Sequence, residues 1–306
     1  MTAPGRDYRP RGEAEHDLHK PDARPVVYTR GATFQECRDP AMCGIAGFSL
    51  GPDSTVERTL AAQALLAGIA ERGADAVGYA HRAPDTPIRI TKLRGGASVL
   101  LDELALPSTA SAALLHVRDF TKGHPEIVAN NHPIRHGAIV GVHNGVIEND
   151  DALLDRHKLV RAEPDMTVDS EVIFALMEHR LHDPRALSEL RGTMAAAWMD
   201  ERESSTLYLA RGNARPLWIG QSDSSLLFAS TRRALTIAEA ILNERLTLRE
   251  IPEGRYLRVR AGHVVHESRF RPAPADRANA AHSPVRAPGE AVTCLTRLAA
   301  LAAALG

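Results

Sequence analysis

Cysteine is scarce in this sequence: the 306-residue chain holds three, Cys37, Cys43 and Cys294. Three widely spaced thiols make no disulfide framework, and without a C-x-x-C pair they offer no cysteine zinc site. Such usage points to a reducing, cytoplasmic compartment. Charge of one sign is lacking too, with 37 Lys and Arg against 38 Asp and Glu. A formal net charge of −1 gives no electrostatic case for nucleic acid or an anionic membrane surface. No apolar run approaches the roughly 20 residues that a bilayer span needs. A glycine-rich phosphate loop ending in Gly-Lys-Ser/Thr is also absent. What remains is ordinary globular composition, 44% apolar and 25% charged. The length suits one large domain with appendages, or two small ones.

Residues 1–42 are rich in Arg, Asp, Glu and Pro and show no apolar period. They lack a signal-peptide core, and their acidic residues argue against a transit peptide, so disorder is the expectation. The first patterned stretch is Met42-Cys43-Gly44-Ile45-Ala46-Gly47-Phe48. If Met42 is lost, Cys43 becomes the first residue, with thiol and free α-amine on one carbon skeleton. A thiolate is a strong nucleophile, and an α-amine with a pKa of about 7.7–8.0 can take a proton near neutrality. Two explanations for the preceding residues stay open: Met42 is the true initiator, or residues 1–42 are a propeptide. Taken alone, Cys43 also fits a small buried thiol.

A strand over 43–50 leads to Ser54-Thr55-Val56-Glu57, a capping-box spacing. Val56, Leu60, Ala64, Leu65 and Ile69 follow at helical intervals until Gly73. Strands are expected at 76–82, 88–94 and 112–117, with a short helix at 98–106. A long loop covers 118–137, and such loops are usually functional. A strand at 138–143 ends in Asn144-Gly145, a turn signal by itself. Helices are expected at 150–159 and 168–182, with a helical turn at 184–191. Strands are expected at 194–200, 206–211, 216–220 and 226–229. After a helix at 234–242, a closing hairpin, 255–260 with 263–267, turns at Ala261-Gly262. Strands in meander-like series without strict β-α alternation indicate an α+β fold with antiparallel sheets. Residues 271–288 read as a Pro/Ala-rich linker. An amphipathic helix over 290–305 then either packs on its own domain or docks a partner.

Four polar clusters complete the pattern. They are Glu71-Arg72-Gly73-Ala74-Asp75, His116-Val117-Arg118-Asp119-Phe120-Thr121-Lys122-Gly123, the pair Asn131-His132-Pro133 and His143-Asn144-Gly145-Val146-Ile147-Glu148-Asn149, and Val168-Asp169-Ser170-Glu171-Val172-Ile173. Singly, Arg118 reads as a surface arginine and Asp169 as a helix cap. In this order, behind Cys43-Gly44-Ile45, they resemble the class II glutamine amidotransferases, most closely the glutaminase half of glucosamine-phosphate synthase. The resemblance spans residues 43–260 and implies an N-terminal-nucleophile fold, a four-layer αββα sandwich of two antiparallel sheets. It implies Cys43 as nucleophile, Asn144 and the N–H of Gly145 as oxyanion hole, Arg118 for the substrate carboxylate and Asp169 for its ammonium. Arg72, Thr121 and His132 fall at substrate-site positions. A guanidinium fork does suit a carboxylate, and attack on an amide creates an oxyanion that needs preorganised donors. The resemblance implies no cofactor. His116, His124, His132, His136 and His143 match no metal-protease spacing, so no metal is expected.

Two positions depart from the family: Asp119 stands in place of Trp, and Lys122 in place of His. In the family that tryptophan lies where ammonia leaves, so its exit and acceptor are placed in doubt, and Asp119 is expected to compete for the Arg118 fork. The expected organisation is an extension over 1–42, a glutaminase domain over 43–270, and a linker with a short C-terminal helix over 271–306. The tail is too small for an acceptor domain. The expected function is hydrolysis of L-glutamine, with ammonia passed to a separate synthase subunit. Alternatives are an amidohydrolase of another γ-glutamyl amide, or a silent glutamine-binding regulatory subunit. The resemblance admits a homodimer.

Overall fold

Beyond Met1, the computed structural model describes residues 43–274 and 285–305. The readings made for 1–42 and for the middle of the linker lie outside the described residues. The chain divides into two units, 1–37 and 38–306, and the description concerns the second.

Strand β1 (Gly44–Leu50) is buried along its whole length. Helix α1 (Arg58–Ile69) follows and runs into a 3-10 turn, Ala70–Arg72. Next come β2 (Ala76–Arg82), β3 (Arg89–Arg94), β4 (Ala112–Arg118), β5 (Ile134–His136) and β6 (Ile139–Ile147). Two helices, α2 (Asp150–His157) and α3 (Glu171–His179), precede β7 (Gly192–Asp200), β8 (Thr206–Arg211), β9 (Trp218–Gln221) and β10 (Ser225–Ala229). The chain closes with α4 (Arg232–Leu242), β11 (Thr247–Glu250), β12 (Arg255–Arg260), β13 (His263–Arg269) and α5 (Pro288–Leu305).

The strands form a seven-stranded sheet, β11-β9-β10-β1-β4-β2-β3, and a six-stranded one, β13-β12-β8-β7-β6-β5. Neighbours in both run antiparallel. Period-two alternation gives each strand two apolar faces. On β4, Leu114 faces the second sheet with Ile45, Val140 and Leu209, while Leu115 and Val117 face α1. A third cluster packs Val172, Ile173 and Leu176 of α3 on Trp198 and Tyr208. The order is helices α1, α4 and α5, first sheet, second sheet, helices α2 and α3: the expected four-layer αββα sandwich.

Helix α1 is buried at every residue from Leu60 to Ile69 because it has cover on both sides. The first sheet lies under it; α4 crosses so closely that a Cβ on Gly68 would lie 2.7 Å from the Ala234 Cα. Helix α5 adds Cys294 and Leu298 to the same core. The C-terminal helix thus packs on its own domain.

Several local readings are corrected. Glu57, not Ser54, caps α1, accepting from the N–H groups of Thr59 and Leu60. Ser54 Oγ is instead 2.8 Å from Ser225 Oγ. Asn144-Gly145 makes no turn, since β6 runs through it paired with Ala195 and Met194. The helix expected at 168–182 is shorter, ended by Leu181 and His182 at positive φ. Only a 3-10 turn, Ala97–Val99, forms where a short helix was expected at 98–106. Strand β11 had no counterpart in the sequence reading.

Candidate active site

Cys43 stands directly before β1, which lies between β4 and β10. Pairing of Gly44 with Val117 brings it beside Arg118 at the end of β4. The Cys43 thiol donates to the Asp119 carbonyl at 3.4 Å. Behind it, Arg72 Nε donates to the Cys43 carbonyl at 3.4 Å. Cys43, Arg118, Thr121, His132, Gly145 and Asp169 all line one narrow cavity.

The second sheet supplies the facing wall. Asn144 is fully buried, and neither its amide oxygen nor its nitrogen has a partner among the described residues. Gly145 has φ +145°, and a Cβ there would meet the Thr193 carbonyl oxygen at 2.0 Å, so only glycine fits. Just beyond, the Ile147 N–H donates to Asp169 Oδ2 at 2.6 Å. Asp169 is therefore turned towards β6; the Ser170 side chain does not cap α3 either.

Electrostatics follow from burial. Desolvation pushes the Cys43 thiol up to about 11, against the opposing effects of its Asp119 hydrogen bond and the Arg118 charge. The thiol is thus protonated at neutral pH and needs a base. Burial raises the Asp169 carboxyl to about 6, although the Ile147 hydrogen bond opposes this. Burial likewise lowers His116 and His143 to about 3 and His132 well below its ordinary value. These rings are neutral; His116 and His143 are engaged elsewhere, while both ring nitrogens of His132 lack partners among the described residues. His116 Nε2 donates to the His143 carbonyl at 3.1 Å and stacks on His132 at 4.1 Å. His143 Nε2 donates to the Thr193 carbonyl, leaving Nδ1 to accept from Ser170 Oγ at 2.8 Å. None bonds the Cys43 sulfur among the described residues. His136 pairs with Glu171 at 3.0 Å. Among the described residues, no three His, Cys, Asp or Glu side chains gather as a metal site.

The Arg118 fork is already engaged. It donates to Asn131 Oδ1 and to the carbonyls of Lys122 and Gly123. Asp119 does not compete for it, because its carboxylate pairs with Arg286 Nε at 2.9 Å. That expectation is corrected. Lys122 Nζ pairs with Asp150 at 2.6 Å and Asp151 at 2.9 Å. Thr121 sits exposed at the cavity rim.

Sequence reasoning missed Arg215, in the loop between β8 and β9. It is 1% exposed, and all three guanidinium nitrogens lack partners among the described residues. Burial lowers its pKa, and the Cys43 thiolate charge opposes that, so the two are electrostatically coupled. A lone arginine in a loop carries no spacing signal that could have marked it.

Residues 121–237 match the profile of the glutamine amidotransferase domain. The glutamine–fructose-6-phosphate aminotransferase (isomerizing) of Oceanobacillus iheyensis is 31% identical over 203 residues, 63% of this chain and 32% of the relative. The enzyme of that name from Escherichia coli K12 is 32% identical over 225 residues, 66% of this chain and 35% of the relative. The chain thus spans about a third of the length of these relatives. In fold it is similar to the glutamine phosphoribosylpyrophosphate amidotransferase of B. subtilis, with a TM-score of 0.58 at 20% identity, covering 74% of this chain and 49% of that one. No helix among the described residues is long and apolar enough to cross a membrane. Sequence and fold agree: the chain carries a glutamine amidotransferase domain, similar in sequence to the glutamine–fructose-6-phosphate aminotransferases and in fold to the phosphoribosylpyrophosphate amidotransferase.

Proposed function

We propose that residues 43–270 hydrolyse L-glutamine to glutamate and ammonia through a γ-glutamyl thioester on Cys43. The observation that carries this reading is one cavity that joins Cys43 to Arg118, Asp169 and the Asn144-Gly145 strand. The thiol attacks the side-chain amide carbon, and its proton passes to the α-amine of Cys43. The oxyanion is met by the Asn144 amide, which has no partner among the described residues, and by the Gly145 N–H. The C–N bond then breaks, and the protonated amine gives its proton to departing ammonia. Water cleaves the thioester and restores the thiol. The protonated thiol and the engagement of His116 and His143 elsewhere favour an amine base, which exists only when Cys43 is the first residue.

The substrate carboxylate is assigned to Arg118, with rearrangement of the Lys122 and Gly123 carbonyls, and its ammonium to Asp169. Arg72 and His132 shape the wall, and Thr121 the rim. Ammonia passes to a synthase outside the described residues, a separate protein in the reading we favour. The ion-paired Asp119 and Lys122 favour a second reading, hydrolysis of another γ-glutamyl amide.

The test is glutamine turnover by protein whose mass shows Cys43 as the first residue, with Cys43→Ala as control. Turnover by the former alone is expected. A Cys43-first protein that binds glutamine without turnover, alone or with candidate synthases, would mark a silent subunit. Better turnover of another γ-glutamyl compound would select the second reading.

A further inference from the structure

The loop 118–123 forms the cavity wall against Cys43, and among the described residues three anchors hold it. Asp75 Oδ2 accepts the Phe120 N–H at 2.9 Å, and Lys122 is ion-paired to Asp150 and Asp151 at the start of α2. The third anchor comes from the far end of the chain. Arg286 Nε meets Asp119 Oδ2 at 2.9 Å, with both side chains largely shielded, 25% and 21% exposed. The same Asp119 offers its carbonyl to the Cys43 thiol.

Arg286 is itself fixed. Its N–H and that of Ala287 donate to the Glu71 carbonyl at 2.8 and 2.9 Å, next to Arg72. From there α5 crosses α1 and is fastened three ways. Glu290 takes the Ser98 N–H at 2.8 Å and its hydroxyl at 3.0 Å. Arg297 pairs with Asp102 at 3.0 Å. Cys294 and Leu298 are buried beneath, at 0% and 1% exposure.

We propose that residues 286–305 are a strap that sets the geometry of the Cys43 cavity, and that Arg286 is a positioning residue acting through the carboxylate of Asp119. The Asp119 and Lys122 departures then have one joint role. Each replaces an aromatic side chain by one half of an ion pair, and together they fasten both ends of the loop. A partly shielded pair anchored on a packed helix loses less to side-chain entropy and screening than an exposed one. The inference rests on the glutaminase reading only for what the loop serves; the mechanical coupling stands without it.

The test uses the full chain and iodoacetamide, with each cysteine's alkylation read separately by peptide mass mapping. Loss of the Asp119 anchor opens the cavity and returns the thiol towards its solvated acidity. In Arg286→Ala, Cys43 is therefore alkylated about tenfold faster, the gain from a thiol pKa lower by about one unit. Cys294 stays protected, Arg286→Lys retains part of the effect, and the swapped pair Asp119→Arg with Arg286→Asp returns Cys43 towards the parent rate. In the Cys43-first form, Arg286→Ala raises KM for glutamine more than it lowers kcat. An unchanged Cys43 rate in Arg286→Ala overturns the proposal. Faster alkylation of Cys294 as well would mean release of the whole helix and also overturns it, as does a swapped pair no better than either single variant. Alkylation differences in a protein that never turns over glutamine would remove the glutaminase reading and leave the strap; turnover with unchanged alkylation would do the reverse.

Discussion

The carboxylate of Asp169 accepts the Ile147 N–H at 2.6 Å, two residues beyond Gly145. The group assigned to the substrate ammonium and the strand assigned to the oxyanion are thereby one hydrogen-bonded piece. Holding this carboxyl in a buried place has a cost that can be measured. Its folded pKa of about 6 lies above the ordinary carboxylate value, so the native state binds more protons than the unfolded state between pH 4 and 6. Stability contributed by this group is present at low pH and lost as pH rises through that window.

Asp169→Asn keeps an acceptor for Ile147 and removes the ionisation. It is expected to raise the melting temperature of the empty protein by several degrees at pH 7–8, with the gain vanishing near pH 4. The same variant should raise KM for glutamine at neutral pH. Calorimetry at several pH values, alongside glutaminase kinetics, checks both signs.

Asn144→Ala separates catalysis from folding. The Asn144 amide is buried without partners among the described residues, so its removal leaves no orphaned group there. Stability is expected to hold or rise, while kcat falls about 10²–10³-fold, as for loss of one oxyanion donor. A parallel fall in stability and activity would place Asn144 in the scaffold instead.

Gly145→Ala should do the opposite. With φ +145° and the Thr193 carbonyl oxygen 2.0 Å from the added carbon, β6 must shift against β7. A loss of more than about 1–3 kcal/mol is expected from urea denaturation.

Arg215→Met exchanges a buried guanidinium, without partners among the described residues, for an apolar chain of similar reach. Stability is expected to rise by about 1–4 kcal/mol, the range seen when buried charges are replaced by packed apolar groups. Loss of a positive charge near Cys43 also disfavours its thiolate, so alkylation of Cys43 should slow and its pH midpoint move upward. Denaturation and a pH profile of alkylation read the two effects.

Most elements were legible because their signals are local: the apolar period of α1, the Ala261-Gly262 turn of the last hairpin, the buried run of β4. The failures share one physical origin. An Asn-Gly pair favours a turn by its own backbone freedom, yet Asn144 and Gly145 remain in β6 because β7, some 50 residues later, pairs with them. Ser54 has the chemistry of a cap, but Ser225 takes its hydroxyl. Thr247–Glu250 has no clear alternation and is a strand only because β9 offers it an edge. At the site, the ordered motifs include Cys43, Arg118, Thr121, His132, Gly145 and Asp169, which line the cavity, whereas Asn144 and Arg72 are not among its lining. Arg215 and Arg286 escaped notice and Asn131 was given no role, since each matters through contacts that no spacing encodes. Asp119 shows the same limit. Its charge beside Arg118 suggested competition, and the partner that removes the competition lies 167 residues away.

Cys43 borders the middle strand of a seven-stranded sheet, with β4 and β10 on either side and helices above. Amides in such a position exchange with solvent only when the domain opens globally. The slowest-exchanging protons of this molecule should therefore lie a few residues from its reactive sulfur, in β1. Those of the 118–123 loop, a few ångströms across the cavity, should exchange through local opening. On the glutaminase reading proposed above, reactant entry and product departure then belong to the loop wall, and Cys43 stays in register while that wall opens.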